Sequence, residues 1–209
     1  MIFDAILIIG YGSRKDDGME IVKRQAARIR NSSSMPVYTA FFRVNYPTLP
    51  DVMKCMMSDG IENVLAVPYL VADGVLTKEF IPKKMRLDSD GIATIGGKKI
   101  TVKFTSTVGN NPVITSILKD RISACGGSRD SGIILLGHGS KRPENSTTVA
   151  LNAKRLSDAG YKHVKYAFNE FNEPTVAQAL SELANEGVSD IVAVPLFIAV
   201  GIHLGEEIP

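Results

Sequence analysis

Apolar residues along this chain follow two alternating patterns. Short continuous runs such as Ala5–Gly10 suit strands buried on both faces of a parallel sheet. Longer segments space their apolar residues three and four apart, as Met19, Val22, Ala26 and Ile29 do, and suit helices that cover such a sheet. The pattern predicts strands at Ala5–Gly10, Val37–Phe42, Val64–Val71 and Lys99–Thr107. It predicts helices over Asp17–Asn31, from Pro47 to near Gly60, after Gly74, and over Val113–Ser123. Pro47 is expected in the first turn of its helix, where a missing N–H costs nothing. Gly126-Gly127-Ser128 with Asp130-Ser131-Gly132 reads as a linker. The order then recurs: strand Gly132–Leu136, helix Asn145–Ala159, strand Val164–Phe168, helix Pro174–Glu186, strand Asp190–Ala199.

The recurrence is literal. At an offset of 127 residues, Ile9-Gly10-Tyr11-Gly12-Ser13-Arg14 aligns with Leu136-Gly137-His138-Gly139-Ser140-Lys141, and Val67-Pro68 aligns with Val194-Pro195. Both copies then reach Ile-Pro, at Ile81-Pro82 and Ile208-Pro209. An internal repeat of this kind divides the chain into a first half at 1–125, a linker at 126–131 and a second half at 132–209. The expected fold class is α/β. Two duplicated half-domains, each an open parallel sheet flanked by helices and joined by right-handed crossovers, are expected to face each other across a cleft. The first half continues past Pro82 with another strand and helix, so the last β-α unit is expected to be absent from the second half.

Glycines, serines and prolines match between the copies, but three polar positions do not: Tyr11/His138, Arg43/Glu170 and Leu76/His203. Each follows a predicted strand, and ligands of open α/β sheets bind beyond the carboxyl ends of strands. Two imidazoles and a carboxylate suit a borderline divalent ion such as Co²⁺, Ni²⁺, Fe²⁺ or Zn²⁺, with open positions for substrate. His138, Glu170 and His203 are therefore the candidate metal and catalytic residues, and Tyr11, Arg43 and Leu76 read as a disarmed copy. The plainer alternative makes each histidine a hydrogen-bonded structural residue. Gly137-x-Gly139-Ser140 fits a tight turn or a phosphate-cradling nest, and Ser140 lacks the G-x-S-x-G setting of a nucleophile. The third histidine, His163, is expected to be exposed and idle.

Composition removes other classes. Lysine and arginine number 24 against 22 acidic residues, a net charge of +2, which makes no case for nucleic acid. Lys83-Lys84 and Lys98-Lys99 are expected to be solvated surface. Cys55 falls in an apolar helical stripe and is expected in the core. Two unmotivated cysteines, no signal peptide and no apolar run of membrane-spanning length give an expectation of a cytoplasmic protein.

Gly137-His138-Gly139-Ser140-Lys141, Glu170-x-x-x-Pro174, and Pro195 through His203 to Glu207-Ile208-Pro209 together resemble the CbiX-type sirohydrochlorin chelatases, in their long duplicated form. The resemblance implies insertion of a divalent metal into a carboxylate-rich cyclic tetrapyrrole. Co²⁺ is the foremost substrate metal, with Fe²⁺ or Ni²⁺ open, and no organic cofactor is implied. It further implies that His138 and His203 bind the metal and that Glu170 holds it or accepts pyrrole protons. Glu207, four residues past His203, keeps the charge of the family's more usual Asp and is placed to support that histidine. Ser140, Lys141 and Arg43 are expected to contact substrate, with Arg142, Arg14 and Lys15 as further cations for its carboxylates. In many duplicated relatives the first half carries the histidines, so this chain departs in using the second. A monomer and a homodimer are both compatible with these expectations. Two other readings stay open: a metal or tetrapyrrole carrier, and a hydrolase or mutase using His138 and Ser140.

Overall fold

Ala5–Gly10 (β1) is buried along its whole length, and its alternation explains why. Leu7 and Ile9 pack into one hydrophobic cluster, and Ile6 and Ile8 into another on the opposite face. A computed structural model of the chain, describing residues 2–14, 16–140 and 144–198, shows what covers each face. Helix α1 (Asp16–Ser32) sets Val22 and Ala26 against the Ile6/Ile8 face. Helix α2 (Leu49–Ser58) sets Leu49, Val52, Met53, Met56 and Met57 against the Leu7/Ile9 face. Each such fully buried side chain contributes about 1.5–3 kcal/mol.

The first half continues with β2 (Val37–Phe41), β3 (Asn63–Pro68), a wide helical turn at Leu76–Phe80 running into α3 (Ile81–Lys84), β4 (Ile92–Ile95) and β5 (Lys98–Phe104). Its sheet runs in the order β2-β1-β3-β5-β4, parallel except for β4. The pattern of apolar runs did not anticipate β4, a four-residue strand that forms an antiparallel hairpin with β5 through Gly96-Gly97. Pro47 does not open α2 as expected. It lies before the helix after a cis peptide, Thr48 caps the helix in a reciprocal box with Asp51, and Pro50 takes the first-turn position. Cys55 is exposed rather than in the core, because the buried face of α2 passes through Met53, Met56 and Met57 and leaves position 55 outside.

The second half contains α4 (Val113–Ala124), β6 (Gly132–Gly137), α5 (Glu144–Asp158), β7 (His163–Phe168), α6 (Val176–Asn185) and β8 (Ile191–Pro195), with parallel strand order β7-β6-β8 among the described residues. The register repeats the first half at the same offset: Ile6 pairs with Val37 and Leu65, and Ile133 pairs with Val164 and Val192. By packing, residues 109–125, which precede the linker in the sequence, group with the second half. Helix α4 packs on α5 and β8, and the turn before it is tied to α5 by Asn152 Nδ2 donating to Gly109 O (2.9 Å) and Arg155 Nη1 donating to Asn110 O (3.0 Å). The repeat thus records where the sequence was copied, while the packing records which residues support one another.

His163 is less exposed than expected. It is half-buried, with Nδ1 2.8 Å from Glu186, and Lys165 bridges Glu186 (2.7 Å) and Glu182 (3.0 Å). The hydrogen bonds from Lys165 and then His163 hold the Glu186 carboxyl below its ordinary value, and those to Glu186 and then Glu182 raise Lys165.

Glycine substitutions should separate backbone strain from steric overlap. Gly12 sits at φ +94°, and a Cβ there would lie 1.8 Å from the Arg43 carbonyl oxygen, whereas Gly97 at φ +80° faces open space. Gly97→Ala should cost only left-handed strain, about 1 kcal/mol, and Gly12→Ala about 3 kcal/mol or more. Urea midpoints measure both, and equal losses would show that the carbonyl simply yields. Because the Glu186 carboxyl is depressed, its contribution is present above the ordinary carboxylate range and is lost as pH falls through the lowered value. The stability gap between wild type and Glu186→Gln should be widest near neutrality and vanish towards pH ~3. A gap that ignores pH would assign Glu186 a packing role.

Candidate functional site

The β6–β7 ladder runs past the ends of its strands. Asn169 N–H donates to Gly137 O at 3.0 Å, and Glu170 N–H donates to His138 O at 2.9 Å. The imidazole of His138 and the carboxylate of Glu170 are therefore carried on adjacent, hydrogen-bonded backbone segments at the carboxyl end of the sheet. The chain then turns sharply. Asn172 N–H donates to Glu170 O (2.8 Å), Phe171 takes φ +63°, and the Asn172 side chain accepts the Ser140 N–H at 2.6 Å. Gly139, at φ +91°, permits this approach, since its Cβ would fall 1.7 Å from the Glu170 carbonyl oxygen.

His138 and Glu170 are both half-buried. The His138 ring has Phe171 edge-on and Phe197 tilted beside it, each centroid 6.4 Å away, and its Nδ1 is shielded from solvent. Phe197 arrives from the end of β8, where Leu196 N–H donates to Leu136 O (2.8 Å). The repeat singled out neither phenylalanine. Phe171 adjoins a position it did mark, Glu170, and Phe197 lies in the Pro195–His203 stretch, and that proximity is the signal available in the sequence. An imidazole and a carboxylate fixed on neighbouring backbone can share a cation, or can pass a proton between a ligand and solvent.

The structure brings His138, Glu170 and Ser140 together in the second half, and it places Arg43 in the first. His203, Glu207, Lys141, Arg142 and Lys15 lie outside the described residues. No metal-binding group of three His, Cys, Asp or Glu side chains occurs among the described residues, which include two of the three expected ligands.

The same backbone device recurs at the equivalent positions of the first half. Arg43 N–H donates to Tyr11 O (2.8 Å), Asn45 N–H to Arg43 O (2.7 Å), and Ser13 N–H to the Asn45 side chain (2.7 Å), with Val44 at φ +63°. The frame matches bond for bond, and only the side chains differ. Tyr11 stacks on Phe42 with centroids 6.0 Å apart and planes at 29°. Leu76 packs against the core of its half, so no donor replaces His203 there.

Comparison with known proteins agrees with this architecture. The chain matches the CbiX family over residues 5–125 and 132–209. A probable sirohydrochlorin cobaltochelatase of Halobacterium salinarum is 28% identical across 98% of this chain and 75% of its own length. A sirohydrochlorin cobaltochelatase of Methanosarcina acetivorans is 40% identical over 37% of this chain, a stretch that spans 61% of the relative. Among solved structures, SirB from Bacillus subtilis with Fe3+ superimposes with a TM-score of 0.83 at 20% identity, covering 98% of this chain and 81% of that one.

Proposed function

We infer the function from one premise: the chain belongs to the CbiX family. It is a metal chelatase that inserts a metal ion into a sirohydrochlorin-type tetrapyrrole. The observation that carries the reading is the pairing of His138 and Glu170 on hydrogen-bonded neighbouring backbone at the end of a parallel sheet. Co²⁺ is the proposed substrate metal. Two relatives described as cobaltochelatases support it, as does the fit of imidazole and carboxylate donors to a borderline ion.

Insertion exchanges one M²⁺ for two pyrrole N–H protons. His138, steadied by Phe171 and Phe197, offers a ring nitrogen that holds the ion without trapping it, and His203 is the second proposed donor, with Glu207 supporting it. Glu170 accepts one proton as the metal–nitrogen bonds form, and the other leaves to water. Fixing ion and ring in register removes the entropic cost of their encounter. Ser140 and Lys141 are proposed to hold the ring's carboxylates from this half.

Multiple-turnover absorbance assays with Co²⁺ and sirohydrochlorin test the reading. His138→Ala should lose about a hundredfold or more in kcat/KM, and His163→Ala, in the ionic network away from the site, should keep wild-type turnover. Product capped at one equivalent per wild-type chain, with Co²⁺ binding that depends on His138, would replace catalysis with carriage. Faster insertion of Fe²⁺ than of Co²⁺ would correct the metal alone.

A further inference from the structure

We propose that the first half carries a binding site of its own for a planar, carboxylate-bearing ring, built from Tyr11, Phe42, Arg43 and Lys84. The Tyr11 and Phe42 rings stack, and the Arg43 guanidinium carbon lies 5.9 Å from the Tyr11 centroid and 5.8 Å from that of Phe42. Lys84 enters from α3, with Nζ 4.7 Å from the Phe42 centroid while donating to the Phe42 carbonyl. Two cations thus converge on one aromatic pair, with Tyr11 46% exposed and both cations exposed.

The charge arrangement points to an anion. Among the described residues neither Arg43 nor Lys84 is ion-paired, a state they share with most of the chain's cations, so it is their convergence on one aromatic pair that sets them apart. Cation–π contact attracts each of them to the rings, yet gathers like charges around one ring. A carboxylate drawn to this pair of cations relieves that repulsion, and the Arg43 fork matches it in a bidentate way. The aromatic pair offers stacking area to a conjugated ring that carries the carboxylate, and the exposed side chains of Val44 and Tyr46 extend the apolar surface along the same loop.

The position in the fold adds weight. Tyr11 and Arg43 occupy the places that His138 and Glu170 hold in the second half, on a backbone preserved to the hydrogen bond. Phe42 stands where the second half has Asn169. The loop geometry that delivers two side chains to a ligand has been kept while its donors were exchanged for stacking and positive charge. Identifying the ring as the chelatase substrate rests on the reading above, whereas the chemistry of the site stands without it.

The test is the affinity for metal-free sirohydrochlorin, followed by its absorbance, so that no insertion step is involved. Arg43→Ala and Lys84→Ala should each raise Kd about fivefold, the size expected for an exposed charged contact. Arg43→Lys should recover only part of the loss, and Phe42→Leu should weaken binding while both charges remain. Urea midpoints of the charge variants should match wild type, because the groups are exposed. Kd within about twofold of wild type in both charge variants, or no binding by wild type, overturns the site. A raised Kd in variants of a protein that never turns over would sink the chelatase reading and leave the site standing. Unchanged Kd in variants of a protein that does turn over would sink the site and leave the chelatase reading standing.

Discussion

The structure depends on a contact that only glycine allows. In each half, the segment leaving the first strand crosses so close to the segment leaving the second that a methyl group would overlap a carbonyl oxygen, that of Arg43 from Gly12 and that of Glu170 from Gly139. The hydrogen bonds across the crossing, and the asparagine that takes up the next N–H, exist because the backbones approach this far. They fix two consecutive loops relative to each other before any functional side chain is considered. Residues 11 and 43, or 138 and 170, project from a prearranged base, which lowers the entropy lost when a ligand engages both.

Duplicating such a base separates two problems that most sites solve together. Backbone geometry is set by residues common to both copies: the glycines, Asn45 and Asn172, the proline that follows each turn, and the threonine caps. Chemistry is set by side chains that carry none of that geometry. Histidine can give way to tyrosine, and glutamate to arginine, without disturbing the strand registers, which coincide at every equivalent pair in β1–β2 and β6–β7. This independence lets one half present an imidazole and a carboxylate while the other presents a phenol and a guanidinium on the same frame.

Much of this was legible in the sequence, for identifiable reasons. Strands buried on both faces leave unbroken apolar runs, and the repeat marked the divergent positions without any structure. Other features were less visible. The four residues of β4 are too few for a pattern, although Gly96-Gly97, both at positive φ, carried a hairpin signal. Cys55 looked buried because spacing alone cannot say how wide a buried stripe is. The phenylalanines flanking His138 and the lysine above Phe42 come from separate segments, 42 residues apart in the case of Lys84, and periodicity holds no information about such meetings.

Leu76 limits how readily one copy could take on the residues of the other. It stands where the other copy has His203, and it now packs against the hydrocarbon interior of its half. Placing an imidazole there would remove apolar packing and set a polar ring against that interior. A ligand installed at this position would cost stability before it bound anything. Exposed positions such as Tyr11 carry no such packing cost, so the core constrains position 76 more tightly than it constrains the exposed positions that stand opposite His138 and Glu170.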